Sequence, residues 1–488
     1  MKVARIVIGL VLTTALAQPA AAQNFQADLQ QANTQRVNSP TAALASLDRM
    51  AATYKDPKEQ REIQLLRLDV LLRAKKFSDV SPLANKVIAD NPQDKEAQAT
   101  ALLALGDALR GLKKFDEAAQ AYQNVAKTCP ALPEKVADAL LRAGDTLVTD
   151  LKKYPEGLVA YRAAETQPAG GRDAADALKR IISVTETQTR EPAAAAAACA
   201  MLVEKYPTQL DESSLAATYA KGVDQYKAAG KLAEAVAFAD RAEKAFDTAA
   251  RKAPFALSKA RLLVELKKQA EARAECGRII CAYPLELEIC QGAQAIIVET
   301  YRAEGKFAEA LGAARILYDA AGTEAQIKAA AGVVGQCFRS VDGNLGRAND
   351  FLAWQRFGAA GADGKPGTAD DVKANPLTQV AYPPADAARD KLFQDAIAAQ
   401  AASYDGHRAK GFLSIYWGKP KDGAKSLLQA FKCCPDSAVP TAAAELVLVG
   451  MKAATGSFAG LDRMFEYLSY GPKGKSGTDN IPDPFQGL

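Results

Sequence analysis

The chain has 488 residues, of which 49% are hydrophobic and 24% are charged, a balance typical of folded globular proteins and not of disordered ones. Alanine supplies 102 residues and aromatic residues only 7%, which favours closely packed helices over β-sandwiches. A formal net charge of +4 argues against a strongly basic nucleic-acid binder, and a single histidine, His407, argues against histidine-rich metal sites. We therefore expect an all-α protein that does not bind nucleic acid.

The N-terminus has the pattern of a secretory signal peptide. Lys2 and Arg5 precede an apolar run over 6–17, and the small residues Ala20 to Ala22 follow. The run is shorter than the about 20 apolar residues that a membrane-spanning helix needs. We expect cleavage after Ala22; the alternative is an uncleaved anchor.

The predicted signal peptide implies that the mature chain is exported. The first cysteine is Cys129, so none lies near the predicted cleavage point, and we do not expect a lipoprotein. No later stretch suggests a transmembrane segment, which leaves a periplasmic or secreted protein. Among the eight cysteines, Cys281 and Cys290 flank a turn at Pro284 and are candidates for a disulfide between neighbouring helices, the alternative being two buried thiols.

A repeat of about 38 residues runs through the mature chain. One position, which we call the mark, recurs at nearly constant intervals. It is occupied by Pro40, Phe77, Phe115, Tyr154, Pro192, Leu232, Gln269, Phe307, Leu345, Tyr382, Pro420 and Phe458. Three residues after the mark, ten of the twelve units carry alanine or glycine, which supports the register.

Each unit is predicted to form two helices. In the third unit an apolar stripe runs from Ala101 to Leu112, a turn follows at Lys113-Lys114, and a second stripe runs from Phe115 to Val125 before Pro130. Neither helix can bury its stripe alone, whereas stacked neighbours bury a continuous core. The pattern predicts a solenoid of about twelve helix-turn-helix units.

This third unit resembles the tetratricopeptide repeat family. The small, large and proline signature positions of that family match Gly106, Leu109, Phe115, Ala118, Tyr122 and Pro130. The period here is longer than the family's usual 34 or so residues. The resemblance implies a right-handed superhelix whose first helices line a concave groove, and grooves of this kind commonly bind peptides or proteins.

The tenth unit breaks the pattern, because residues 358–384 are rich in glycine, proline and aspartate where a first helix is expected. We expect a loop there, with units of the same solenoid on both sides, at 23–357 (about nine units) and 385–470. Within the loop the oxygens of four residues suit Ca²⁺, although the EF-hand pattern is absent and a polar connecting loop is the alternative. These candidate ligands are Asp363, Thr368, Asp370 and Asp371.

Two pairs of aromatic residues flank the interruption and are candidates for partner binding. Trp354 and Phe357 precede the loop, and Tyr416 and Trp417 lie in the next unit; the alternative is that all four pack in the core. The tail at 471–488 is rich in glycine and proline and is expected to be disordered.

No nucleophile elbow, dinucleotide-binding fingerprint or complete phosphate loop occurs in the sequence, and no cofactor is expected. The sequence therefore predicts an exported, non-enzymatic scaffold that binds a protein or peptide partner in a superhelical groove. The alternative is a cell-envelope protein that binds a glycan or a small ligand.

Overall fold

The computed structural model describes residues 20–168, 170–357, 375–383, 386–456, 461–471, 475 and 483–486. Most of the predicted signal peptide, most of the 358–384 loop and all four candidate calcium ligands lie outside these residues. Two compact units divide the chain, Met1–Thr218 and Tyr219–Leu488, which we call unit 1 and unit 2. Within the described residues all regular structure is helical.

The described residues of unit 1 form five helix pairs, and the unit boundary falls inside the next helix, α11. The helices of unit 1 are α1 (Ala20–Asn38), α2 (Pro40–Thr53), α3 (Pro57–Arg73), α4 (Phe77–Asp90), α5 (Lys95–Gly111), α6 (Phe115–Thr128), α7 (Pro133–Asp145), α8 (Tyr154–Glu165), α9 (Gly171–Thr187) and α10 (Pro192–Lys205). Helix α7 continues as a wider π-helical turn over Thr146–Asp150, and a 3₁₀ turn follows α10 at Pro207–Gln209.

Unit 2 begins with the same pattern of paired helices and then departs from it after α18. Its helices are α11 (Glu212–Ala228), α12 (Leu232–Lys244), α13 (Ala249–Glu265), α14 (Gln269–Ala282), α15 (Leu287–Ala303), α16 (Phe307–Asp319), α17 (Glu324–Asp342), α18 (Gly346–Phe357), α19 (Ala387–Ala398), α20 (Tyr404–Tyr416), α21 (Pro420–Cys433), α22 (Val439–Ala444), α23 (Lys452–Thr455) and α24 (Leu461–Tyr470). A π-helical stretch, Glu445–Met451, joins α22 to α23, and short 3₁₀ turns occupy Pro376–Gln379 and Asp436–Ala438.

The predicted period is confirmed by where the second helix of each pair begins. Nine marks are the first residue of a helix in the described chain: Pro40, Phe77, Phe115, Tyr154, Pro192, Leu232, Gln269, Phe307 and Pro420. Leu345 lies one residue before α18, Phe458 lies outside the described residues, and Tyr382 begins no helix, since α19 starts at Ala387. Pro383 and Pro384 explain this exception, because proline disfavours helical backbone in the residue before it and lacks a backbone donor.

The small residue after the mark lies where the two helices of a pair cross. Six alanines at this position have no exposed surface: Ala43, Ala118, Ala195, Ala235, Ala272 and Ala310. Consecutive helices contact each other within unit 1 from α1 to α10, and within unit 2 from α12 to α18. The fold is thus an all-α tandem repeat of helix pairs, as the sequence predicts.

After residue 375 the chain packs against earlier repeats of unit 2. Helices α19 and α20 contact α14, and α20 also contacts α16. Phe393 and Phe412 from this C-terminal part share one core with Ile280 of α14 and Ile296 of α15. The C-terminal helices therefore complete the core of α13 to α16.

Most of the tail at 471–488, which the sequence suggests is disordered, lies outside the described residues. Within its described part, Phe485 is 8% exposed and joins the core of unit 2. Its ring lies 6.2 Å from that of Tyr467 on α24, measured between ring centres. This aromatic residue of the tail therefore packs against the end of the helical array.

One described helical stretch, Asp436–Thr455, is long and apolar enough to cross a membrane by length and composition, although the sequence analysis expected no such segment. Half of it is buried inside unit 2. Lys452, near its end, is also buried, and its ammonium group donates to backbone carbonyls of unit 2. These contacts are those of a core helix.

Candidate functional site

A cavity of about 550 Å³ lies between α14, α15 and α16 on one side and α19 on the other, all within unit 2. Ile280, Ile297, Leu392 and Phe393 give it apolar walls. Its volume falls in the range of roughly 300–1,000 Å³ that is usual for small-molecule sites. We call this space the α14–α19 cavity.

Small residues on α14 keep this cavity open. Ala270, Ala274 and Gly277 lie on the face of α14 that lines it. A Cβ atom at Gly277 would have a single neighbour within 4 Å, the side chain of Leu392 at 3.9 Å. The sequence thus leaves space between α14 and α19 that larger side chains would fill.

Arg389 is the principal charged group of the α14–α19 cavity. Its guanidinium donates to the backbone oxygen of Tyr416 at 2.9 Å, and its Cζ atom lies 5.4 Å from the ring centre of Phe393. Burial lowers the pKa of Arg389, since a guanidinium away from water is less stable in its charged form. The cavity therefore contains a half-buried cation, whose charge Asp386 and Asp390 stabilise without direct contact.

The two acids next to Arg389 on α19 have other partners. Asp386 accepts a hydrogen bond from the backbone N–H of Ala388 at 2.9 Å and so caps α19. Asp390 accepts from the indole N–H of Trp417 at 2.6 Å. Arg389 therefore lines the cavity without a carboxylate in direct contact among the described residues.

At the other end of the cavity the charges are paired. Arg273 lies 2.9 Å from one carboxylate oxygen of Glu304, and Lys306 lies 2.7 Å from the other. The Arg273 guanidinium also stacks 4.5 Å from the ring centre of Tyr301. These two cations hold the pKa of Glu304 below its usual value. Two cations thus share one carboxylate at this end of the site.

Next to the cavity, residues 375–383 lie along α16. Arg315 donates to the backbone oxygen of Val380, and its guanidinium stands 4.1 Å from the ring centre of Tyr382. A Cβ atom at Gly312 would lie 2.8 Å from the backbone oxygen of Ala381, so only glycine permits this approach. Helix α16 therefore holds the irregular stretch 380–383 of its own chain through two backbone contacts and through the ring of Tyr382.

A buried acid at the end of α16 anchors this segment. The Tyr382 hydroxyl donates to Asp319 at 2.8 Å, and the Arg315 guanidinium lies 3.7 Å from the same carboxylate. Burial raises the pKa of Asp319 to about 6, because the charged carboxylate is poorly solvated there. The hydrogen bond from Tyr382 thus fixes the segment to the helix at a second point.

A buried amine lies beside the same helix end. The Lys452 ammonium donates to the backbone oxygen of Tyr318 at 2.7 Å and also to that of Ala321. Carbonyls at the C-terminal end of a helix lack intrahelical N–H donors, and the Lys452 ammonium supplies N–H donors to these oxygens. Burial lowers the pKa of Lys452 to about 7.

A second cavity, of about 650 Å³, lies between α12, α13 and α14. Its charged groups are paired: Lys259 lies 2.8 Å from Asp240, and Arg278 lies 2.6 Å from Glu275 and 2.8 Å from Glu243. Because these charged groups already bind one another, this cavity has fewer groups available to bind a ligand than the α14–α19 cavity has.

The structure buries two of the aromatic residues that the sequence singled out. Trp354 on α18 is 7% exposed, and Tyr416 at the end of α20 is 1% exposed. The side chain of Phe357 lies outside the described residues. Trp354 and Tyr416 are therefore core residues, as in the alternative interpretation of the sequence.

Trp417 differs from these two because it is half-buried beside the α14–α19 cavity. It stacks on Phe393 with ring centres 6.4 Å apart, and the Lys419 ammonium lies 3.1 Å from its ring centre. The ring therefore supports the wall of the cavity from behind and does not line the cavity itself.

Sequence reasoning missed Arg273, Arg389 and Lys452. Each is an ordinary charged residue in a helical pattern, and its role depends on contacts between helices far apart in sequence. Gly277 and Gly312 were the available signal, because a glycine inside a predicted helix marks a close approach or an open space.

The candidate disulfide is absent from the structure. Cys281 and Cys290 are both free thiols, the first half-buried and the second buried. Burial raises the pKa of each to about 12, which disfavours the reactive thiolate. The two residues therefore pack in the core of unit 2 as small apolar groups.

The site is suited to binding. No group of three or more His, Cys, Asp or Glu residues in the described chain could hold a metal ion. The α14–α19 cavity combines apolar walls with one cation that lacks a direct counterion, which favours an anion attached to an apolar group.

No protein-family model matches the chain, and no curated protein matches it in sequence. Solved structures do match. BtubC from P. vanneervenii is 18% identical, with 45% of this chain and 90% of BtubC covered and a TM-score of 0.32. The quorum sensor NprR from B. thuringiensis is 14% identical, with 67% and 97% covered and a TM-score of 0.27. The TPR domain of P58(IPK) is 11% identical, with 89% and 99% covered and a TM-score of 0.20.

The fold is a tetratricopeptide-like helical repeat. Its basis is the chain's own helix pairs, the nine helices that begin at the mark and the fully buried alanine at six of the crossings.

Proposed function

We propose that this chain is an exported, non-enzymatic scaffold that binds a protein or peptide partner. One observation carries the proposal: α16 already holds residues 375–383 of its own chain, a short 3₁₀ turn followed by an irregular stretch. The export part of the proposal rests on the signal-peptide pattern before Ala22.

Two contacts of α16 with this segment do not depend on the segment's side chains, whereas Tyr382 bonds Asp319, and Leu377 and Val380 pack in the core. Arg315 bonds a backbone oxygen, and Gly312 makes room for backbone atoms, so neither contact selects a particular side chain. The α14–α19 cavity lies beside the same segment and is lined by Pro383. A partner segment would extend along this face and place a side chain in the cavity.

Affinity capture from an envelope extract tests the proposal. The bait is residues 23–488, beside a Gly277→Leu variant that fills the cavity and an Ala200→Leu control at the same repeat position on α10. We expect one dominant protein with the wild type and the control, identified by mass spectrometry, and its loss with Gly277→Leu. Circular dichroism checks that all three baits are folded. Absence of any captured protein, with and without crosslinking, would contradict the proposal.

A second candidate function is the binding of a small ligand. The volume of the α14–α19 cavity and the position of Arg389 in its wall favour it. A glycan has less support, because Trp354 is buried, and the half-buried ring of Trp417 contacts Phe393 and Lys419 of its own chain.

A further inference from the structure

We propose that the α14–α19 cavity binds a carboxylate carried on an apolar body, with Arg389 as the residue that binds the anion. The inference deepens the second candidate function, on which it rests, and it does not depend on a protein partner.

The first argument is the charge of Arg389. A guanidinium has several N–H donors in a fixed fork. Only the bond to the Tyr416 backbone oxygen uses them within the described chain, since Asp386 and Asp390 are engaged elsewhere. Asp386 and Asp390 stabilise this half-buried cation only from a distance, so an anion that enters the cavity gains the direct contact with the guanidinium that these acids do not make.

The second argument is the character of the walls. Ile280, Ile297 and Leu392 surround the space with aliphatic groups, and Phe393 adds a ring on the side of Arg389. An ion without an apolar body would leave these walls exposed to water. Burial of an aliphatic chain against them is favourable, because it removes apolar surface from water on both partners.

The number of available cations selects the kind of anion. Arg273 and Lys306 share the carboxylate of Glu304, which leaves Arg389 as the guanidinium without a carboxylate in direct contact, and the lining acids Glu309 and Asp386 disfavour an anion of higher charge. One guanidinium matches the single charge and planar geometry of a carboxylate, whereas a doubly charged phosphate monoester would require further cations. The geometry therefore favours a monocarboxylate.

Calorimetric titration of residues 23–488 with octanoate tests the inference, with 1-octanol as the neutral analogue of the same length. We expect saturable binding of one octanoate and at least tenfold weaker binding of octanol. Arg389→Gln should weaken octanoate binding at least tenfold and leave octanol binding unchanged. Lys391→Gln, which removes an exposed positive charge from the same helix, is the matched control and should bind octanoate as the wild type does.

Equal binding of octanoate and octanol would overturn the inference, and so would absence of saturable octanoate binding. The comparison of the two probes uses the wild type alone, so it holds even if Arg389→Gln fails to fold. Gly277→Leu should abolish binding of both probes. A captured partner without octanoate binding would refute this inference and leave the scaffold proposal standing, whereas octanoate binding without any captured partner would do the reverse.

Discussion

Close contact between the helices of a pair depends on individual glycines. Gly106 on α5 faces the ring of Tyr122 on α6, and a Cβ atom added there would lie 2.4 Å from a ring carbon. Gly144 and Tyr161 repeat this contact one unit later, also at 2.4 Å. The Tyr122 hydroxyl then donates to Asp107 at 2.6 Å, which ties the ring to the first helix.

Gly106→Ala should therefore destabilise the protein by about 1–3 kcal/mol through overpacking. Helix propensity opposes this effect by up to about 1 kcal/mol, because alanine is the better helix former. Gly332→Ala on α17 is the matched control, since a Cβ atom there has nothing within 4 Å, and it should stabilise the protein. Urea unfolding followed by circular dichroism measures both; equal effects of the two substitutions would contradict this packing model.

Lys452 shows how a buried charge is tolerated in this fold. Its ammonium donates to carbonyls at the C-terminal end of α16, where a cation is favoured by the helix dipole. Burial still lowers its pKa from 10.5 to about 7. Between these pH values the unfolded chain binds more protons than the folded chain, so this group's contribution to stability rises as the pH rises from 7.

Lys452→Met should remove the part of the free energy of unfolding that rises with pH above 7. We expect the wild type to gain stability relative to this variant between pH 7 and about 9.5. Burial raises the pKa of Asp319, with which Lys452 interacts, so the contribution of this acid falls as the pH rises through the acid range. Urea unfolding at several pH values measures the difference, with exposed Lys391→Met as the control. Parallel pH profiles for wild type and Lys452→Met would contradict the assignment.

At the scale of the helix pair, the turn between the two helices has one recurrent geometry along the chain. The residue two before the mark adopts a left-handed backbone in ten turns of the described chain, with φ between 54° and 85°: Lys75, Lys113, Lys152, Arg190, Gly230, Lys267, Gly305, Gly343, Gly418 and Gly456. In the third unit the N–H of Lys114 bonds the oxygen of Leu109 at 2.8 Å, as in a Schellman motif. Five of these turns place a side chain where glycine is favoured.

Lys113→Gly should accordingly stabilise the protein by up to about 1 kcal/mol, because an L-residue in the left-handed region is strained by roughly 1–2 kcal/mol and the added flexibility of glycine offsets part of the gain. Gly230→Ala makes the opposite change at the same turn position and should destabilise. Thermal unfolding of both variants tests this prediction. A shift of the unfolding temperature in the same direction for both would contradict backbone strain at Lys113.

Much of this element-scale structure was predictable from sequence, and the candidate site was not. The period predicted where nine of the described helices begin, because the turn and the crossing impose local requirements on residue type. The position of residues 375–383 on α16 depends on contacts such as Tyr382 with Asp319, 63 residues apart. No local pattern encodes a contact of that kind, so Arg389 and Lys452 gave no signal of their roles.

At the scale of the molecule, unit 2 departs from a simple solenoid. In a simple array each repeat contacts only its neighbours, so removal of end repeats leaves the rest intact. Here Phe412 and Leu446 from the C-terminal part share a core with Leu257 of α13 and Ile279 of α14. The C-terminal helices thus act as an internal cover for repeats that lie much earlier in the chain.

A chain that ends at Phe357 should therefore lose more than the removed helices. Its remaining unit 2 helices would expose the core that α19 to α24 cover, so we expect a lower unfolding temperature, a loss of helical signal beyond the share of residues removed, and binding of a hydrophobic dye. A chain that lacks α1 and α2 is the control, because besides each other these helices make extensive contacts only with α3 in the described chain. Its helical signal should fall only by the share of residues removed. If the chain ending at Phe357 unfolded at the temperature of the full chain, the C-terminal helices would be an independent extension and not part of the core of α13 to α16.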